Sequence, residues 1–230
     1  MSVKKLTLII AAIISFNLNI EAQKKSRKTN TPVEIPAEKS AGSVSLEEYQ
    51  STIKDGVLSN KYFGFSLYLP QDWNIVDGHV VEYENINGRL RVKKNTLPKQ
   101  IDEFRKNLII LSKYPLGKIP NANLVIMAGL ISNINRPWRE IVAESKQAIE
   151  KYKEMPYLLT QDLTEIQAGH EKGFFYEFSS KSNDFEFRQR QYIFRRKGHM
   201  MIFNLFYTKI EELKELEKTI QTLRFEKENN

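Results

Sequence analysis

The stretch that most restricts how this chain can fold runs from Tyr157 to Thr208. It reads as four strands in succession. "LLTQDLTEIQA" passes through Gly169 into "KGFFYEFSS"; "KSND" turns the chain into "FEFRQRQYIFR"; "RKGH" turns it into "MMIFNLFY". Strands joined by turns this short must lie side by side and run in opposite directions, because a parallel pairing needs a crossover of a dozen residues or more. The last strand is apolar on both faces, which places it in the middle of a sheet covered from two sides.

Further strands flank this meander. In "KYFGFSLYLPQDW", Phe63, Phe65, Leu67 and Leu69 alternate with Tyr62, Gly64, Ser66 and Tyr68, the period of a strand with one buried face. Pro70 lacks an N–H and ends it, and Trp73 is expected to pack over the strand's end. Asp77-Gly78 and Asn87-Gly88 are tight-turn pairs, so residues 62–92 are expected to form a meander with a hairpin at each. "NANLVIMAGLI" is a continuous apolar run and predicts an interior strand.

Four segments carry the helical period. In "SLEEYQSTI", Ser45 and Glu48 form a possible capping box ahead of Leu46, Tyr49 and Ile53. Ile101, Phe104, Leu108 and Leu111 recur at steps of three and four, predicting a helix that Tyr114-Pro115 stops. Pro137 in a first turn opens a third, with Trp138, Ile141, Val142, Ser145, Ile149 and Tyr152 on one face. The closing segment pairs Thr208 with Glu211 as a cap and buries Ile210, Leu213, Leu216, Ile220 and Leu223. Antiparallel strands with helices on opposite faces define an α+β domain, an antiparallel sheet flanked by helices.

The order of these elements resembles the PsbP-like superfamily, which includes the extrinsic P subunit of photosystem II, a Ran-binding nuclear import factor and bacterial envelope proteins such as DcrB. "GFSLYLPQDW", the apolar strand between two helices, the aromatic meander and the closing helix carry the likeness, over roughly residues 58–226. The resemblance implies an α-β-α sandwich and non-enzymatic binding or assembly work. It names no partner.

The ends and the composition set the address. "MSVKK", the apolar "LTLIIAAIISFNL" and small Ala22 have the layout of a secretory signal over residues 1–22, too short an apolar run for the roughly 20 residues of a spanning helix. Residues 23–44, rich in Lys, Ser, Thr and Pro, are expected to be a flexible tether, and 45–230 a single domain. The chain has no cysteine, so neither a lipid-modified cysteine nor a disulfide is available and the core alone must hold the fold. A periplasmic or secreted location follows. Losing Lys4, Lys5 and Glu21 with the signal lowers the net charge from +7 to +6, an excess suited to an anionic surface or an acidic envelope protein; export disfavours nucleic acid.

Catalytic chemistry is poorly provided for. Ser66 lacks the second glycine of a nucleophile elbow, and His79, His170 and His199 each follow a glycine in an expected turn. No metal-ligand spacing and no glycine cradle for phosphate occur, so no metal or cofactor is expected, and "SNDFE" at 182–186 reads as turn chemistry. The one concentration of binding chemistry is "FEFRQRQYIFRRKGH". Arg188 and Arg190 share a strand face with Glu186 and Tyr192, and Arg195, Arg196 and Lys197 crowd the following turn. Arginine forks bind carboxylates and phosphates in pairs of hydrogen bonds, and interleaved aromatics add stacking surface. A solvated face that keeps an aromatic strand from pairing with strangers explains the same residues. A second basic stretch, "RLRVKKNTLPK" from Arg89 to Lys99, would strengthen the binding reading if it shared that face. The expectation is a non-enzymatic binding or assembly module. A carrier for a lipid or apolar peptide and an enzyme without a recognisable motif are the alternatives.

Overall fold

The computed structural model describes residues 51–77, 82–86, 89–93, 105–115, 121–131, 133–151, 157–182 and 185–227. The expected signal segment, tether and first helix up to Gln50 lie outside them. A seven-stranded antiparallel sheet organises the rest. Its strands are β4 (Asn74–Asp77), β7 (Arg105–Ser112), β8 (Asn123–Leu130), β9 (Tyr157–Ala168), β10 (Glu171–Ser182), β11 (Phe185–Arg196) and β12 (His199–Tyr207). They stand in the order β4-β7-β8-β12-β11-β10-β9. The four-strand meander is present as the sequence predicts, and β12, apolar on both sides, takes the central place.

A smaller sheet, β1 (Ser51–Lys54), β2 (Val57–Asn60), β3 (Phe65–Tyr68) and β13 (Arg224–Phe225), packs with helix α2 (Ile210–Gln221) on one face of the large sheet. Helix α1 (Trp138–Glu150) packs on the other. Alternation along β12 divides its side chains between the two cores: Met201, Phe203 and Leu205 face α2, and Met200 and Ile202 face α1. Each fully buried Phe or Leu contributes roughly 1.5–3 kcal/mol through removal from water. Gly173 of β10 has no room for a side chain, since a Cβ there would lie 2.5 Å from the Ile193 carbonyl oxygen and 2.6 Å from Phe194. Gly173→Ala is therefore expected to destabilise by about 1–3 kcal/mol through overpacking, measured as a lowered urea midpoint at unchanged slope.

Helix α1 buries Ile141, Val142, Ser145 and Ile149 as predicted, with Pro137 at its N-cap, one position ahead of the first turn. In α2, Leu213, Leu216 and Ile220 are buried, while Ile210 is 51% exposed. Its start is capped by Glu212 and not by Glu211: Glu212 Oε2 accepts hydrogen bonds from the backbone N–H groups of Thr208 (2.9 Å) and Lys209 (3.1 Å).

Three expectations are corrected. Residues 105–112 are strand β7 and not a helix. A register shift between Asn107 and Ile109 makes Leu108 an extra residue in the ladder, so Leu108, Ile109 and Leu111 all face the α2 side and only Ile110 the other. The bulge breaks the period of two and leaves a spacing that mimics a helix; Ile101 and Phe104 lie outside the described residues. Residues 51–53 are also strand: Asp55 (φ 52°) and Gly56 (φ 72°) form a left-handed turn joining β1 to β2, the same Asp-Gly signal read elsewhere as a hairpin. Finally, β4 does not pair with the next strand. The chain crosses from the small sheet to the large one after Pro70, buries Trp73 between them, and pairs β4 with β7. The strands β5 (Glu82–Ile86) and β6 (Arg89–Lys93) form a separate antiparallel pair, and the expected turn at Asn87-Gly88 lies outside the described residues.

Candidate anion-binding cleft

Strand β11 carries Arg188, Arg190, Tyr192 and Arg196 on its α2-side face, and Arg195 on the other. The five basic residues singled out from the sequence are not brought together. Arg196 lies eight residues from Arg188, about 27 Å along an extended strand. It is only 2% exposed. Its Nε donates to the Phe63 carbonyl at 3.1 Å, one terminal nitrogen to the Glu226 carbonyl at 3.0 Å, and the other to the Glu171 carboxylate. The guanidinium also sits 5.3 Å over the Phe225 ring. Gly64, at φ +61°, leaves the space it needs, since a Cβ there would be 3.1 Å from the guanidinium. Arg195 donates to the Ile134 carbonyl at 2.6 Å, and the exposed Lys197 lies 4.9 Å over the Tyr62 ring in the β11–β12 turn.

Arg190 belongs to an ionic hub under α2. Glu177 of β10, its neighbour across the ladder, is buried. Its carboxylate accepts hydrogen bonds from Tyr207 Oη at 2.5 Å, Thr160 Oγ1 at 2.9 Å and Arg190 Nε at 2.8 Å. Arg190 reaches on to Glu217 of α2, whose carboxylate also accepts from Tyr192 Oη at 3.2 Å. Burial alone would push the Glu177 carboxyl upward, but the bonds from Tyr207 and Thr160 and the Arg190 charge hold it below the usual carboxylate range. Burial pushes both tyrosines up, Tyr192 to about 12; the adjoining Glu177 adds to the rise of Tyr207. One guanidinium serves two carboxylates in this hub, so Arg190 has its charge committed.

Arg188 is different. Its side chain is 46% exposed, 3.8 Å from Glu177 and 3.7 Å from Glu186, with no direct hydrogen bond among the described residues. It lines a half-open cleft of about 240 Å³ with Glu186, Tyr207, Thr208 and Ile210. The cleft forms where Arg188 and Tyr207 pair across β11 and β12 and the chain turns into α2. Tyr207 and Thr208 already donate their hydroxyls to Glu177 and Glu212, so the cleft offers one guanidinium and one exposed isoleucine, a small surface suited to a carboxylate with an apolar neighbour.

Sequence reasoning found Arg188, Arg190 and Tyr192 and missed Glu177, Tyr207, Thr160 and Glu217. A carboxylate inside the aromatic run "FFYEFSS" was the available signal, because a buried acid must have a partner. His199 is 8% exposed at the start of β12, its Nδ1 2.7 Å from the Lys197 carbonyl and its ring edge-on to Phe63. His79 lies outside the described residues, as does Asn183-Asp184 of "SNDFE" and Lys94 to Lys99 of the second basic stretch. Among the described residues no group of three His, Asp or Glu is arranged to hold a metal ion, and no helix is long and apolar enough to cross a membrane.

The chain is similar in fold to several solved structures. Cyanobacterial PsbP (CyanoP) from Synechocystis aligns with 82% of this chain and 98% of its own, at a TM-score of 0.48 and 10% identity. LpqN, involved in cell envelope biogenesis of Mycobacterium tuberculosis, aligns with 71% of this chain and 83% of its own, at 0.43 and 8% identity. A Pseudomonas aeruginosa protein of unknown function aligns with 62% of this chain and 95% of its own, at 0.40 and 16% identity. No protein-family model and no curated protein matches the chain.

Proposed function

We propose that this chain is a non-enzymatic binding or assembly module working outside the cytoplasm, and that it engages an acidic partner at the Arg188 cleft. The observation that carries the reading is the contrast between two arginines on one strand face. Arg190 is hydrogen-bonded to two carboxylates, while Arg188, which approaches Glu177 and Glu186 only to 3.8 and 3.7 Å, presents its guanidinium at a cleft with no direct hydrogen bond among the described residues. Glu186 shares the cleft, so the site carries little net charge. That favours a single carboxylate over a phosphate dianion, and Ile210 gives the adjoining residue an apolar contact. The location rests on the signal layout of residues 1–22.

Charge reversal tests the reading. Arg188→Glu brings a carboxylate beside Glu177 and Glu186 and is expected to cost about 1 kcal/mol, which leaves the domain folded. It should weaken capture of the acidic envelope partner by about tenfold or more, and the wild-type interaction should weaken as salt is raised. The comparison is made by affinity capture from the protein's own compartment at two salt concentrations, with quantification of each retained protein. Capture that is indifferent to Arg188→Glu would refute the cleft as the binding site.

A further inference from the structure

The α1 side of the large sheet holds a second feature, independent of the cleft. Most of that face is apolar: Ile110, Val125, Met127, Ile193 and Ile202. Two successive rungs are not. In one, Asn123, Phe206, Gln189, Phe178 and Leu159 stand in line across β8, β12, β11, β10 and β9. In the next, Val125, Asn204 and Gln191 follow. Gln189 is 0% exposed, Asn204 1% and Asn123 5%. Gln191 is served by Tyr176, whose hydroxyl donates to its Oε1 at 2.7 Å. Among the described residues the others are not: both polar atoms of Gln189, both of Asn204 and Oδ1 of Asn123 are buried with no hydrogen-bond partner there.

Buried carboxamides are nearly always paired, because an unmet donor or acceptor forfeits its hydration with nothing in return. A Leu or Val at the same positions would carry no such cost and would match the rest of the face. Gln189 and Asn204 are diagonal neighbours, roughly 7–8 Å apart at their Cα atoms, so one molecule can reach both. Neither rung contains a charged side chain on this face. The surroundings are aromatic: Tyr157 lies edge-on to Phe178 at 5.9 Å and to Phe187 at 6.3 Å. Phe206 and Leu159 of the first rung are half-buried.

We propose that Asn123, Gln189 and Asn204 form an internal binding site for a neutral ligand bearing secondary amide groups. Carboxamides offer donors and acceptors in equal measure, which a peptide-type N–H and C=O answer together, and the absence of charge on these rungs disfavours ions. The flanking rings hold the ligand's apolar part. An acetamido sugar and a short neutral peptide share this chemistry.

The test follows the side-chain amide resonances of Asn123, Gln189 and Asn204 in the isotope-labelled full chain, assigned by through-bond correlation from the backbone. N-acetylglucosamine is titrated in one arm and N-acetylalanine methylamide in the other. Saturable shifts confined to these three amides and their neighbours are expected in one arm, and that arm identifies the source of the amide. Gln189→Met should weaken the responding probe by about tenfold. If neither probe moves these resonances, and they exchange magnetisation only with water, bound water satisfies the amides and the proposal is overturned. The wild-type titration decides this even if the variant folds poorly.

Discussion

Arg196→Met is expected to destabilise the domain by about 3–5 kcal/mol, the cost of breaking a buried ion pair from one side. The substitution keeps most of the side-chain volume and removes three directed contacts at once. It leaves the carbonyls of Phe63 and Glu226 and the carboxylate of Glu171 without their donor. Those groups sit in three different places: the turn before β3, the tail after β13, and the start of β10. Arg196 therefore ties the small sheet to the meander. Arg196→Lys should recover only part of the loss, because an ammonium group cannot reproduce the planar fork. Urea unfolding of the three proteins measures this directly. A midpoint for Arg196→Met equal to that of wild type would show that the network contributes nothing.

Glu177 carries the second large effect. Glu177→Leu removes the acceptor shared by Tyr207, Thr160 and Arg190 and leaves Arg190 with Glu217 as its carboxylate partner. A loss of about 3 kcal/mol is expected at neutral pH, the lower end for a broken buried pair because Arg190 keeps one partner. The pH dependence has a definite sign. The folded carboxyl titrates below its unfolded value, so its stabilisation is present above the unfolded pKa of about 4.3 and is lost as the pH falls through the lower folded value. Wild-type stability should fall in that acid window, and Glu177→Gln should fall less steeply there. Parallel acid limbs for the two proteins would refute the assignment. Both predictions also bear on the binding reading. Reversing Arg190 or Arg196 would damage the fold and obscure any partner effect, which makes Arg188 the informative position.

Much of the architecture was legible from residue order. The meander from Tyr157 to Tyr207, the central placement of β12, the buried faces of α1 and α2 and the interior strand β8 all follow from period and turn chemistry. The failures have local causes too. Leu108 is a bulge, and a bulge shifts the apparent period from two toward that of a helix. Ile53 has a helical spacing with Leu46 and Tyr49, but the Asp55-Gly56 turn that follows folds residues 51–54 back onto β2 as a strand. At β4, the turn pair Asp77-Gly78 suggested pairing with the next strand, but the chain had already changed sheets to bury Trp73.

The candidate site divides the same way. Sequence alone determined that β11 presents arginines and a tyrosine on one face, because alternation along a strand is a property of the backbone. It did not separate Arg188, Arg190 and Arg196, which look alike in "FEFRQRQYIFRRKGH". Only the tertiary structure decided that Arg196 lies under the small sheet, that Arg190 meets Glu177 and Glu217, and that Arg188 stays at an open cleft. The physical reason is range. Strand period and turn geometry depend on residues within a few positions of each other, whereas the work an arginine's charge does is set by whichever groups the fold brings across from distant parts of the chain.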